Sequence, residues 1–250
     1  ILKSSREIEL MTEAGRILEI VHKELEKALH PGMTTKAIDR LGEEIIRSYG
    51  CIPSFLDYNG YPASICVSVN DEVVHGIPSE HRIIREGDIV SLDAGVIYKG
   101  YHSDAARTHC VGEVSKEAQD LVRVTRECFF EGIKYAKEGN HLFDISGAIG
   151  RYAKERGYGV VRDLCGHGIG TALHEAPEIP NYEMKRKGVL LKAGMTLAIE
   201  PMINIGGWEV DWMDDDWTVV TRDHSLSAHY ENTVLITENE PKLLSLTEGI

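Results

Sequence analysis

The chain holds no Cys-x-x-Cys pair, and its five cysteines, Cys51, Cys66, Cys110, Cys128 and Cys165, are odd in number and widely scattered. That spacing excludes a zinc knuckle and gives no disulfide framework, so a reducing, cytoplasmic setting is expected. Nor is there a run of about 18 apolar residues. The opening Ile1-Leu2-Lys3-Ser4-Ser5-Arg6-Glu7 leads into an amphipathic pattern rather than the apolar core of a secretion leader. No membrane association is expected. Positive charge is the third shortage: 27 Lys and Arg stand against 40 Asp and Glu, for a formal charge of −13. A nucleic-acid surface needs clustered cations to replace the counterions around phosphates, so no specific nucleic-acid binding is expected.

What is present is an order of elements that occurs twice. Ser4-Ser5-Arg6-Glu7 has the form of a capping box, and Ile8, Met11, Ile17, Leu18, Val21 and Leu25 follow at helical spacing until His30-Pro31-Gly32. A second helix is predicted from about Thr35 to Tyr49-Gly50, with Ile38, Leu41, Ile45 and Ile46 on one face. β-Branched segments come next: Ile65 to Val69, then Ile89 to Ala94, which passes through Tyr98-Lys99-Gly100 into Ala105 to Val111 as a hairpin. From Ser115 the order restarts, with a helix to about Lys137, another from about Phe143 to Arg156, and then strands. Gly87 and Gly194 each stand six positions before an acid, Asp93 or Glu200, that ends an apolar strand, and the two segments are 107 residues apart. The helix starts at Ser4 and Ser115 are 111 apart. These offsets predict two similar α/β halves, about 4–112 and 113–250, packed as one domain over residues 1–250 with the acids meeting between them.

A hairpin turning at Tyr98-Lys99 would set Asp93 directly opposite Asp104 on one sheet face. Their Cβ atoms would then lie about 4.5–5.5 Å apart, where two carboxylates need a neutralising cation. The alternative is an asymmetric turn, or one Asp in solvent. Glu200 takes the place of Asp93 in the internal match, and Glu231 opens the apolar run Asn232-Thr233-Val234-Leu235-Ile236. An ionised carboxylate beside Leu197-Ala198-Ile199 must be paired or bind metal, with Arg107 as the competing partner. His167 lies in Cys165-Gly166-His167-Gly168-Ile169-Gly170, whose glycines allow close backbone approach. Four carboxylates and one imidazole could hold two divalent ions about 3.5–4 Å apart. Oxygen-rich ligation suits Mn or Mg, and a mixed oxygen and nitrogen set also admits Co, Fe or Zn.

His75 and His174 are each followed within three residues by a proline, Pro78 or Pro177, and read as loop positions. His174-Glu175 does not begin a H-E-x-x-H helix, because Glu178 stands where the second histidine would be and Pro177 interrupts. Asp211, Asp214, Asp215 and Asp216 lack the spaced ligands, central Gly and terminal Glu of a calcium loop, and read as a solvated turn.

Over nearly its full length the chain resembles the type I methionine aminopeptidases. The resemblance is carried in order by Ser91-Leu92-Asp93-Ala94-Gly95, Ser103-Asp104, Gly166-His167-Gly168-Ile169-Gly170, Ile199-Glu200-Pro201-Met202 and Ser227-Ala228-His229-Tyr230-Glu231. It implies an α/β (α+β) pita-bread fold, with two pseudo-symmetric helix-helix-hairpin halves around a central curved antiparallel sheet. It also implies two divalent metal ions (Co, Mn, Fe or Zn) on Asp93, Asp104, His167, Glu200 and Glu231. The implied reaction removes an initiator methionine from a new polypeptide, favouring a small second residue, by attack of hydroxide held between the metals. Here His174 would stabilise the oxyanion, Glu200 would move the proton, and His75 would hydrogen-bond the scissile nitrogen. Phe55, Tyr58, Tyr61, Cys66, Leu173 and Trp217 match the family's methionine pocket, although Phe55 and Leu173 shift bulk from one wall to another. The implied partner is a Met-bearing peptide or nascent-chain N-terminus, met by a monomer in transient encounter with the ribosome. The same ligand set serves proline dipeptidases and Xaa-Pro aminopeptidases, which carry a large extra N-terminal domain, whereas only about 85 residues precede the first ligand strand here. A catalytically silent peptide-binding relative is the reading from another class.

Overall fold

The structure, a computed structural model, describes residues 2–246. Ser4 caps helix α1 (Ser5–Ala28) as expected: its Oγ accepts the Glu7 N–H, and Glu7 Oε2 accepts the Ser4 N–H at 2.7 Å. Thr34 caps α2 (Thr35–Ser48) through its side chain. Strands β1 (Ile52–Pro53), β2 (Ile65–Val69) and β3 (Glu72–Val74) lead to a hairpin of β4 (Ile89–Tyr98) and β5 (Tyr101–Cys110). Helices then recur as α3 (Lys116–Ile133) and α4 (Leu142–Glu155). Helix α3 stops short of Lys137 because Tyr135 and Ala136 bond back only three residues, to Gly132 and Ile133, and this tighter turn takes the chain off the helix axis.

Short strands make up the remainder: β6 (Gly159–Val160), β7 (Gly166–Gly168), β8 (Glu175–Ile179), β9 (Thr196–Ile199), β10 (Met202–Asn204) and β11 (Val210–Trp212), then β12 (Val219–Thr221), β13 (Ser227–His229), β14 (Asn232–Leu235) and β15 (Lys242–Leu243). Helix caps Thr34 and His141 are 107 residues apart, as are the starts of β4 and β9, while the caps Ser4 and Ser115 are 111 apart. All strand pairings are antiparallel, in sheets ordered β1-β4-β2 with β5 on β4, β15-β14-β9-β7-β8, β13-β10-β6 and β11-β12-β3.

Two apolar cores back the sheets. One joins α1 and α2 to the first, through Ile17, Leu18, Val21, Ile65 and Leu92, and the other joins Phe129, Ile145 and Ile149 of α3 and α4 to Leu197, Ile199 and Ile203. A third cluster draws on both ends of the chain, with Met11, Phe55 and Tyr61 against Ile169, Leu173 and Leu235.

The hairpin corrects one expectation. Its turn is Lys99-Gly100, both at positive φ (48° and 85°), so Tyr98 pairs with Tyr101, Asp93 with Ala106, and Asp104 with Gly95. A two-residue turn with positive φ at both positions matches the right-handed twist of the strands, which a turn at Tyr98-Lys99 would splay. Asp93 and Asp104 are therefore diagonal neighbours rather than directly opposed, and because the displacement is two residues they keep a common face. Asp93 also lies in the middle of β4, whereas Glu200 stands one residue beyond β9.

Candidate metal centre

The strand registers bring the acids together. Ala106, the pairing partner of Asp93, exchanges backbone hydrogen bonds with Glu231 in both directions, at 3.0 and 3.4 Å. Asn232 pairs with Ile199, so the same register carried one residue outward sets Glu231 against Glu200. His167 pairs with Ala198, two residues before Glu200 and hence on the same face. The Thr233 hydroxyl completes the join, donating to the Asp104 carbonyl and accepting the Asp104 N–H, both at 2.9 Å.

Ligand atoms of Asp104, His167 and Glu231 lie within 4.8 Å of one another, and His167 Nε2 is 3.8 Å from Asp104 Oδ2 and 3.7 Å from Glu200 Oε1. Asp93 Oδ1, Asp104 Oδ1 and Glu231 Oε1 are buried with no hydrogen-bond partner. Burial, reinforced by the neighbouring acids, raises Asp93, Glu200 and Glu231 well above the carboxylate range, and burial raises Asp104 to about 7. The His167 Nδ1–H donates to the Gly168 carbonyl at 2.9 Å, which leaves the Nε2 lone pair free. Burial keeps that ring neutral, with a pKa of about 3. Clustered carboxylates with orphaned oxygens and one imidazole presenting a lone pair fit divalent cations.

Arg107 does not compete for Glu200. It donates to the carbonyls of Ala106 and Glu231 and to Asn232 Oδ1, and stacks 4.6 Å over Tyr230. Among the described residues the ion-pair contacts of Glu200 are with His167 and His229.

One cavity of about 200 Å³ is lined by all five of these residues together with His75, His174, Phe55, Tyr58, Tyr61, Cys66, Leu173 and Trp217. Its apolar wall is built around Tyr61, whose ring meets Trp217 edge-on at 5.1 Å and whose hydroxyl donates to the Gly76 carbonyl at 3.0 Å. His75 follows β3 with φ at 60°, a conformation side chains rarely adopt. The next residue, Gly76, passes so close to β2 that a Cβ there would sit 2.3 Å from the Val67 carbonyl oxygen. Burial and the nearby His174 lower His75 to a pKa of about 4. The His174 ring stands 4.1 Å from that of His167, centroid to centroid, and burial lowers its pKa too.

Three contributors escaped the sequence reading. His229 is buried, with Nε2 3.5 Å from Glu200 Oε2. Its signal was its place two residues before Glu231. Asn59 joins the cavity wall from a short 3-10 turn (Tyr58–Gly60), and Thr233 acts through backbone contacts that no local pattern encodes. Asp214, Asp215 and Asp216 form a solvated turn as expected, with Asp215 accepting the N–H groups of Trp217 and Thr218, whereas Asp211 lies in β11 and pairs with Arg222 at 2.9 Å.

Comparison with known proteins agrees with this arrangement. The profile of metallopeptidase family M24 matches residues 9–238. A methionine aminopeptidase of Clostridium acetobutylicum is 54% identical over 248 residues, spanning 99% of both chains. The crystal structure of a methionine aminopeptidase from Thermotoga maritima superposes with a TM-score of 0.96 at 45% identity, covering 98% of each chain. A prolidase from Pyrococcus furiosus gives a TM-score of 0.78 at 26% identity, with all of this chain covering only 66% of that one. The fold is thus the α/β pita-bread fold, with divalent metal use as its chemistry. The chain belongs to metallopeptidase family M24, within its type I methionine aminopeptidases, as a metal-dependent hydrolase.

Proposed function

We propose that the chain removes the initiator methionine from polypeptides with a small second residue, using two divalent ions of the Co, Mn, Fe or Zn group. Asp93, Asp104, His167, Glu200 and Glu231 would hold the ions. The observation that carries this reading is one cavity in which three buried carboxyls, the half-buried Glu200 and one lone-pair imidazole end an apolar, aromatic-walled pocket. When bound, the metals supply Lewis-acid polarisation of the scissile carbonyl and acidify water.

The methionine side chain packs among Phe55, Tyr58, Tyr61, Cys66, Leu173 and Trp217, where the soft thioether suits aromatic and thiol walls. His174, neutral, donates a hydrogen bond to the developing oxyanion. Glu200, ionised when cations lie beside it, takes a proton from water and passes it to the leaving nitrogen. His75, also neutral, hydrogen-bonds the scissile nitrogen and keeps it directed away from the wall.

We further propose one catalytic domain of two related halves, about 4–112 and 113–250. It would be a cytoplasmic monomer that meets nascent chains transiently at the ribosome. No described helix is long and apolar enough to cross a membrane. Release of methionine from Met-Ala-Ser by protein reconstituted with each metal tests the activity, and Xaa-Pro peptides serve as the contrast. No release with any divalent ion, or preferential cleavage of Xaa-Pro peptides, would overturn it.

A further inference from the structure

We infer that Tyr58 is a positioning residue for His174, so that a methionine side chain filling the pocket holds the oxyanion donor in place and is sensed in turnover as well as in binding. This rests on the function proposed above and assigns Tyr58 a second task besides forming the pocket wall.

The Tyr58 hydroxyl lies 2.7 Å from His174 Nδ1, with the two rings 5.2 Å apart, centroid to centroid. That is the one hydrogen bond made by the His174 ring among the described residues. His174 enters from the segment just ahead of β8, and apart from this bond its ring is held only by packing, chiefly against His167 at 4.1 Å, which sets no tautomer. Burial raises the Tyr58 phenol above its ordinary pKa and keeps it protonated. The phenolic O–H is thereby left to donate to Nδ1. An imidazole accepting at Nδ1 carries its proton on Nε2, and this tautomer can donate into the cavity shared with Asp104 and Glu200.

Tyr58 is well placed to sense the substrate. Its ring packs against the apolar cluster that includes Phe55 and Leu173. It rides on a turn flanked by two non-glycine residues at positive φ, Asp57 at 63° and Asn59 at 51°. Short bonds from Asp57 N to the Tyr61 carbonyl and from Tyr58 N to the Phe55 carbonyl, both 2.9 Å, close that turn on itself. A side chain long enough to press on the ring restrains the hydroxyl, and the hydroxyl restrains His174. Binding energy far from the reacting atoms is then expressed in the transition state.

The test uses the full chain loaded with manganese, comparing wild type with Tyr58→Phe on Met-Ala-Ser and on 2-aminobutyryl-Ala-Ser, whose first side chain is an ethyl group. The variant keeps the ring and loses the hydroxyl. Expected are a fall in kcat of about tenfold on Met-Ala-Ser, a KM changed by less than about threefold, and loss of most of the kcat preference for methionine over the ethyl side chain. In the zinc-loaded protein, the histidine ¹⁵N spectrum should place the His174 proton on Nε2 in wild type and show it divided between the two neutral tautomers in the variant. A kcat within twofold of wild type, a change confined to KM, or an unaltered His174 tautomer would each overturn the inference. A wild type that releases no methionine refutes the function instead, and the ¹⁵N spectra still decide the Tyr58 contact.

Discussion

Asp93 and Asp104 leave the interior of a hairpin of two ten-residue strands that turns back at once through Lys99-Gly100, with ladder partners around them. Glu200 and Glu231 stand just outside β9 and β14, and the chain runs through β10 to β13 between them. The first pair is fixed by continuous sheet, whereas the second marks the place where the sheet is left. The difference divides labour. The hairpin supplies carboxyls held by ladder partners, and the excursion after Glu200 brings Trp217 to the cavity and His229 against Glu200.

The most severe break should come from the rigid side. Asp104→Asn is expected to lower turnover on the order of 10³-fold and to reduce the bound metal, since a neutral amide no longer balances the cations. Elemental analysis alongside peptide kinetics checks this, and full occupancy with normal turnover would mean that Glu200 and Glu231 suffice alone. His174→Ala should follow, with a loss of about 10²–10³ in turnover and metals retained; turnover near wild type with both ions bound would remove His174 from the mechanism. Trp217→Ala probes the excursion, and should raise KM for Met-Ala-Ser by about tenfold through lost apolar contact. If kcat fell instead and KM held, the excursion would be positioning the chemistry rather than the side chain.

The smallest effect concerns His22, which backs the hairpin by donating from Nε2 to the Ala105 carbonyl at 2.8 Å. Burial holds its pKa well below the ordinary value of 6.5. The unfolded chain therefore binds the extra proton first, and this site's contribution to stability is full above about pH 6.5 and is lost as the pH falls from there towards the depressed folded value. His22→Gln should flatten that part of a denaturant-midpoint profile. A slope as steep as that of wild type would assign the acid sensitivity to other histidines.

The helix cap at Ser4, the start of the second helix near Thr35, the extent of β2 and the inward acids were legible because each is written in local chemistry: a capping hydroxyl, an apolar helical stripe, a β-branched run, a carboxylate among apolar neighbours. The hairpin register was misread by one turn position, since Lys99 gives no warning that it will adopt a positive φ. Harder still was the pairing of β3 with β12, distant in sequence and set by packing rather than by any motif. His229 was visible as a residue but not as a neighbour of Glu200, because the contact crosses from β13 to the end of β9. The family resemblance supplied what periodicity could not, namely which histidines share a cavity.

The reciprocal backbone bonds of Ala106 and Glu231 give the molecule a seam, and the proposed cation site straddles it. Ion uptake there would stabilise the closed seam, so that mass action on either moves the other. A cell short of metal would then hold a protein that is less firmly closed along its middle as well as idle, and the amides of Ala106 and Glu231 would exchange with solvent faster than in the loaded protein.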